Sequence, residues 1–156
     1  MTNDPSIRAR ELFSDTGYCW AESVLLAVAE HMHIHSDIIP RIASGFCGGL
    51  AHTGGMCGAV SGGIMAISLS QGRDLPTRSN NPLYATIQDF MKMFTEQFGD
   101  VNCQKLTGVL VGTPEGKATF IEKGQIKQCT VYVGEAVRLV LELVENLDNK
   151  PQVGTN

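Results

Sequence analysis

None of the five cysteines in this 156-residue chain forms a Cys-x-x-Cys pair. That absence removes the sequence signals of zinc fingers, zinc ribbons and thioredoxin-like active sites, which hold two thiols within one turn. With no Cys-x-x-Cys-His run, covalent c-type haem is not expected either. The chain has no basic stripe, and its net charge is −4, so nucleic acid is not an expected partner. The longest apolar stretch, Gly58 to Leu69, is diluted by glycine and serine and is too short to span a bilayer. The opening Met1-Thr2-Asn3-Asp4-Pro5-Ser6 has neither a basic nor an apolar signal segment, so cytoplasmic residence is expected. P-loop, GxGxxG and GxSxG patterns are missing, which leaves nucleotide and serine-nucleophile chemistry without support. Asp74, Glu96, Asp100, Glu115 and Glu122 show no spacing that nominates an acid/base pair.

What is present is helical periodicity. A composition 43% hydrophobic and 18% charged is that of a folded domain. No strand-like alternation persists, and no repeat of 20–50 residues recurs. The pattern predicts an all-α single compact bundle of about six or seven helices over residues 1–147, with a polar tail from 148 to 156. Asp4-Pro5 starts a helix to Phe13, and a second runs from Cys19 to Met32. Ser36 reads as the N-cap of a third reaching Gly45, with Pro40 in its first turn. Gly45 to Gly55 reads as an irregular glycine-rich loop before a central helix from Cys57 to Gln71. Pro82 opens a strongly apolar helix ended by Gly99, and a short turn follows Cys103. Thr113-Pro114 begins another helix, and the last spans Cys129 to Leu147.

The chemistry concentrates on cysteine. In a reducing compartment an odd count of five argues for metal binding or redox chemistry over a framework of bridges. Cys19, Cys57, Cys103 and Cys129 each fall where a turn becomes a helix, which suggests helix ends converging on one thiol cluster. Packing as small hydrophobes is the simpler alternative. Cys57 opens the run Cys57-Gly58-Ala59-Val60-Ser61-Gly62, and a helix N-terminus there favours its thiolate. Gly58, Gly62 and Ala66 share one helix face that would let a second backbone approach closely. Cys47 and His52, in the glycine-rich loop, are candidate extra ligands. Packing explains Cys47 equally well, and a solvated loop position is the simpler account of His52. His31 and His35 share a face only if the second helix reaches that far.

Taken in order, Gly17-Tyr18-Cys19-Trp20-Ala21-Glu22-Ser23-Val24, Ala43-Ser44-Gly45-Phe46-Cys47-Gly48-Gly49, Cys57-Gly58-Ala59-Val60-Ser61-Gly62, Cys103-Gln104-Lys105-Leu106-Thr107-Gly108 and Cys129 resemble the C-GCAxxG-C-C redox-active protein family. The likeness runs from about Leu12 to about Leu147, and the family name writes Gly-Cys-Ala where this chain reads Cys57-Gly58-Ala59. The resemblance maps the family's four cysteines onto Cys19, Cys57, Cys103 and Cys129, leaves Cys47 outside the required set, and implies redox activity. It extends to the iron–sulfur-binding part of split-Soret cytochromes c, where four cysteines hold a cluster.

The leading expectation is therefore an iron–sulfur cluster on Cys19, Cys57, Cys103 and Cys129, serving electron transfer to a redox partner protein, with Gly58 and Gly62 allowing close approach. The rival is a thiol–disulfide protein with Cys57 as attacking thiolate, and the third reading is a structural zinc site. A homodimer is left open, and the donor or substrate is not identified.

Overall fold

A computed structural model describes residues 4–148 and is all α-helical among them. Its eight α-helices exceed the expected count by one or two, because the glycine-rich loop and the turn after Cys103 each supply a short one. The tail expected beyond Asp148 lies outside the described residues.

Capping chemistry sets the boundaries. The Asp4 carboxylate accepts from the Ser6 amide at 2.8 Å, and Pro5 begins α1 (Pro5–Asp15). Cys19 is the N-cap of α2 (Trp20–His31), where the Glu22 carboxylate reaches back to accept from the Cys19 amide at 2.9 Å. The helix expected from Ser36 to Gly45 does not form. Turns occupy 37–40 and a 3-10 helix spans Arg41–Phe46. Pro40 has no amide to donate and disfavours α geometry at Ile39, so the helix pattern cannot propagate through it. After α3 (Cys47–His52), Cys57 is the N-cap of α4 (Gly58–Gln71). α5 (Asn81–Phe98) ends at Gly99, whose φ of 94° is left-handed. α6 (Cys103–Thr107) and α7 (Pro114–Glu122) follow, and α8 (Ile126–Asp148) starts three residues before Cys129.

α4 is the central element. It is apolar on nearly every side and buries Gly58 through Gly63 together with Ala66 and Ile67. α2, α5 and α8 surround it, and α1 lies across α2 and α8. The predicted small face is used against α2: a Cβ on Gly62 would stand 2.7 Å from the Ala21 carbonyl, and one on Gly58 2.8 Å from the Trp20 Cβ. Close approach of those two backbones carries the N-caps Cys19 and Cys57 to the same end of the molecule. On the opposite flank, Phe90 and Phe94 of α5 are fully buried. Phe98 and Tyr132 join them, with Phe94–Phe98 and Phe98–Tyr132 ring centroids 4.7 and 4.8 Å apart. Helix α8 completes the core with Val133, Ala136, Val137 and Val140.

Candidate thiol site

Cys19 and Cys57 are the N-caps of α2 and α4 and Cys103 opens α6, as the sequence predicts, while Cys129 is the fourth residue of α8, with its amide already bonded to the Gln125 carbonyl, and Cys47 opens the short α3. Two chain crossings gather them. The Cys57 amide donates to the Val101 carbonyl at 2.8 Å, and the Cys103 amide donates to the Gly55 carbonyl at 2.7 Å. These bonds flank a single antiparallel bridge between Met56 and Asn102. The Asp100 carboxylate accepts from the Val101 and Asn102 amides at 2.8 Å and fixes that strand-like crossing. Cys57 and Cys103 are thereby stitched together, and α8 brings Cys129 in from the side.

The three share a cavity of about 40 Å³ with Trp20, Gly48, Gly49, His52, Phe120 and Tyr132 among its walls. Cys57 and Cys129 are buried, and Cys103 is half-buried. Burial pushes the Cys57 thiol up to about 11, against a smaller pull from the Ala59 and Val60 amides at the start of α4. Burial likewise pushes Cys129 up to about 12, against a smaller pull from the Trp20 indole. Cys103 is raised by burial and eased by Thr107. The expected low-pKa thiolate at Cys57 is thus not what this site provides. The helix N-terminus is there, but desolvation outweighs its amides.

Cys19 lies apart from these three. It is joined to Cys47 by a disulfide, with Cα atoms 6.0 Å apart. Cys47, which the resemblance leaves outside the four-cysteine set, is thus the partner of Cys19, which it places inside. Both are half-buried, as Cys103 is, whereas Cys57 and Cys129 are buried. The pair and the trio are still neighbours: Trp20 and Gly48, which follow Cys19 and Cys47, line the pocket, and a Cβ on Gly58 would lie 3.4 Å from the Cys47 Cα.

The segment after Cys47 replaces the expected irregular loop with a left-handed turn. φ is 60°, 65°, 46°, 54° and 69° at Gly48, Gly49, Leu50, Ala51 and His52. Left-handed backbone is ordinary for glycine but costs about 1–2 kcal/mol for each other residue. Leu50, Ala51 and His52 therefore hold strain beside the site. Gly49 rests on Cys103, where a Cβ would lie 3.0 Å from Sγ and collide with the Cys103 Cβ. The His52 ring fills the space beside Gly48, with Nε2 2.6 Å from where a Cβ would stand. The pair Gly48-Gly49 could have signalled left-handed backbone, but nothing in Leu50-Ala51-His52 does.

A family model described as "Putative redox-active protein (C_GCAxxG_C_C)" matches residues 18–143. The chain belongs to this family. A relative from Archaeoglobus fulgidus, named "Uncharacterized protein", is 28% identical over 148 residues, covering 89% of this chain and 92% of its own length. No solved structure matches. Of the four cysteines expected to form one site, Cys57, Cys103 and Cys129 line one pocket, while Cys19 is bonded to Cys47. Cluster ligation takes four thiolates. With Cys19 in a disulfide only three thiols face the pocket, and among the described residues no three His, Cys, Asp or Glu groups are set to hold a metal ion. In this state the donor set does not fit an iron–sulfur cluster or a four-thiolate zinc. His31 and His35 do not form a pair either, since α2 ends at His31, whose Nε2 lies 3.2 Å from Glu145 Oε1.

Proposed function

We propose that this chain is a thiol–disulfide redox protein in which Cys19 and Cys47 are the exchanging couple. The observation that carries this is the half-buried Cys19–Cys47 bond beside a pocket of three reduced thiols. A thiolate on an external dithiol partner attacks one sulfur and forms a mixed disulfide. The partner's second thiol then closes its own disulfide. Two electrons and two protons pass to Cys19 and Cys47, and the partner's sulfurs are joined in their place. Attack falls on Cys47. The leaving sulfur is then Cys19 at the N-cap of a twelve-residue right-handed helix, whose free amides favour a thiolate. Cys57, the attacker expected from sequence, is protonated at neutral pH and is not the entry point.

The test is a thiol–disulfide titration of the purified chain against a dithiol buffer, followed by the single tryptophan, Trp20, next to Cys19. A two-electron transition that vanishes in Cys19→Ser and in Cys47→Ser supports the reading. A transition that survives both variants removes it.

One observation favours a second reading. Cys57, Cys103 and Cys129 face a common pocket, and opening the disulfide would free Cys19 as a fourth thiolate beside it. Brown protein isolated without oxygen, with iron and acid-labile sulfide in similar amounts, would favour this cluster reading. Colourless protein that also refuses iron and sulfide would remove it, and zinc at about one per chain would favour the structural site.

A further inference from the structure

The left-handed turn has one covalent anchor, and that anchor is the redox couple. Cys47 directly precedes Gly48, so the disulfide holds the N-terminal end of the turn against the start of α2. The turn's other surface is the wall of the thiol pocket, through Gly48, Gly49 and His52. Its ties to the rest of the chain include Gly55 N–H to the Gly49 carbonyl at 3.2 Å, continued by Cys103 N–H to the Gly55 carbonyl at 2.7 Å, with Gln104 N–H to the Gly54 carbonyl at 3.4 Å beside them and the His52 carbonyl packed on Gly112. Leu50, Ala51 and His52 each have a more favourable backbone conformation available once the anchor is released.

We propose that the Cys19–Cys47 disulfide latches the left-handed turn Gly48–His52 over the pocket, so that reducing this pair opens Cys57, Cys103 and Cys129 to solvent. The inference rests on the exchange reading above and adds regulation to it. An external dithiol opens the bond, its own two sulfurs become joined, and Cys19 and Cys47 each gain one proton and one electron. The freed turn relaxes away from Cys103. One redox event at the half-buried pair thus decides how readily the two buried thiols and the half-buried Cys103 can react.

Iodoacetamide labelling followed by peptide mass spectrometry tests this in the full chain. The disulfide-bonded wild type is compared with the Cys19→Ser/Cys47→Ser double variant, so that no reductant is present. Cys103, against which Gly49 rests, should label about tenfold or more faster in the variant, as expected for local opening. Equal rates overturn the latch. Adding Leu50→Gly and Ala51→Gly to the double variant removes strain and should slow labelling again; no slowing contradicts strain as the driving force. Hydrogen exchange on the wild type avoids dependence on any variant's folding. The Gly55 and Cys103 amides should exchange faster after reduction with dithiothreitol, and unchanged exchange overturns the proposal. The two failures are separable. A wild type without a linked Cys19–Cys47 peptide defeats both readings, whereas a linked peptide with unchanged pocket exchange defeats the latch alone.

Discussion

The corner where α2 meets the 3-10 helix and the pocket between α4, α6 and α8 both present cysteines at helix starts, yet they hold sulfur in different states. At the corner, Cys19 and Cys47 are half-buried and bonded to each other. In the pocket, Cys57 and Cys129 are buried and reduced, with burial pushing their thiols to about 11 and 12. An N-cap position is common to Cys19 in one region and Cys57 in the other, so it does not decide reactivity. Exposure and a partner within reach do: the same amides that favour a thiolate near solvent are outweighed where the sulfur is desolvated.

Serine substitution separates the two regions most sharply. Cys19→Ser or Cys47→Ser should abolish exchange with a dithiol, while Cys57→Ser or Cys129→Ser should leave the Cys19–Cys47 couple active. Loss of exchange in Cys57→Ser, read by the Trp20 titration, would erase the distinction between pair and trio. A smaller effect concerns the core against which both regions pack. Phe90→Ala, at a fully buried ring beside Gly63, should destabilise the chain by about 3–5 kcal/mol in denaturant unfolding. A change below about 1 kcal/mol would mean that the α4–α5 contact is not the support described.

The pocket should also respond to alkali where the corner does not. The folded-state values of Cys57 and Cys129 lie above the unfolded value of about 8.5. Their contribution to stability is therefore complete below about pH 8.5 and is lost as pH rises toward about 11 to 12. The unfolding midpoint should fall through that window in wild type, and fall less in Cys57→Ala/Cys129→Ala. The smallest effect is expected in the left-handed turn. Leu50→Gly exchanges about 1–2 kcal/mol of strain for about 0.5–1 kcal/mol of extra backbone entropy, for a net gain of about 0.5 kcal/mol. Destabilisation by more than about 1 kcal/mol in denaturant unfolding would show that the Leu50 contacts outweigh the strain.

Much of this was legible in the chain itself. Asp4-Pro5, Thr113-Pro114, Gly72 and Gly99 mark helix ends by local chemistry, and local chemistry is what sequence displays. The glycine face of α4 foretold a close helix approach, and α2 makes it. Two features were hidden because they depend on the assembled fold. Cys47 lies 28 positions after Cys19 in the sequence, and the packing of the 3-10 helix and α3 against α2 puts them together. The left-handed backbone of Leu50-Ala51-His52 runs against what those residue types prefer. The rise of the Cys57 thiol was hidden too, because a helix start is visible in sequence and the burial around it is not.

The division into a bonded pair and a reduced trio is tested most directly by peptide mapping of protein isolated anaerobically without reductant and blocked with an alkylating agent before digestion. The account predicts a Cys19-containing peptide linked to a Cys47-containing peptide, with Cys57, Cys103 and Cys129 recovered as thiols. Recovery of all five cysteines as thiols, or of Cys19 linked to Cys57, Cys103 or Cys129, would contradict it.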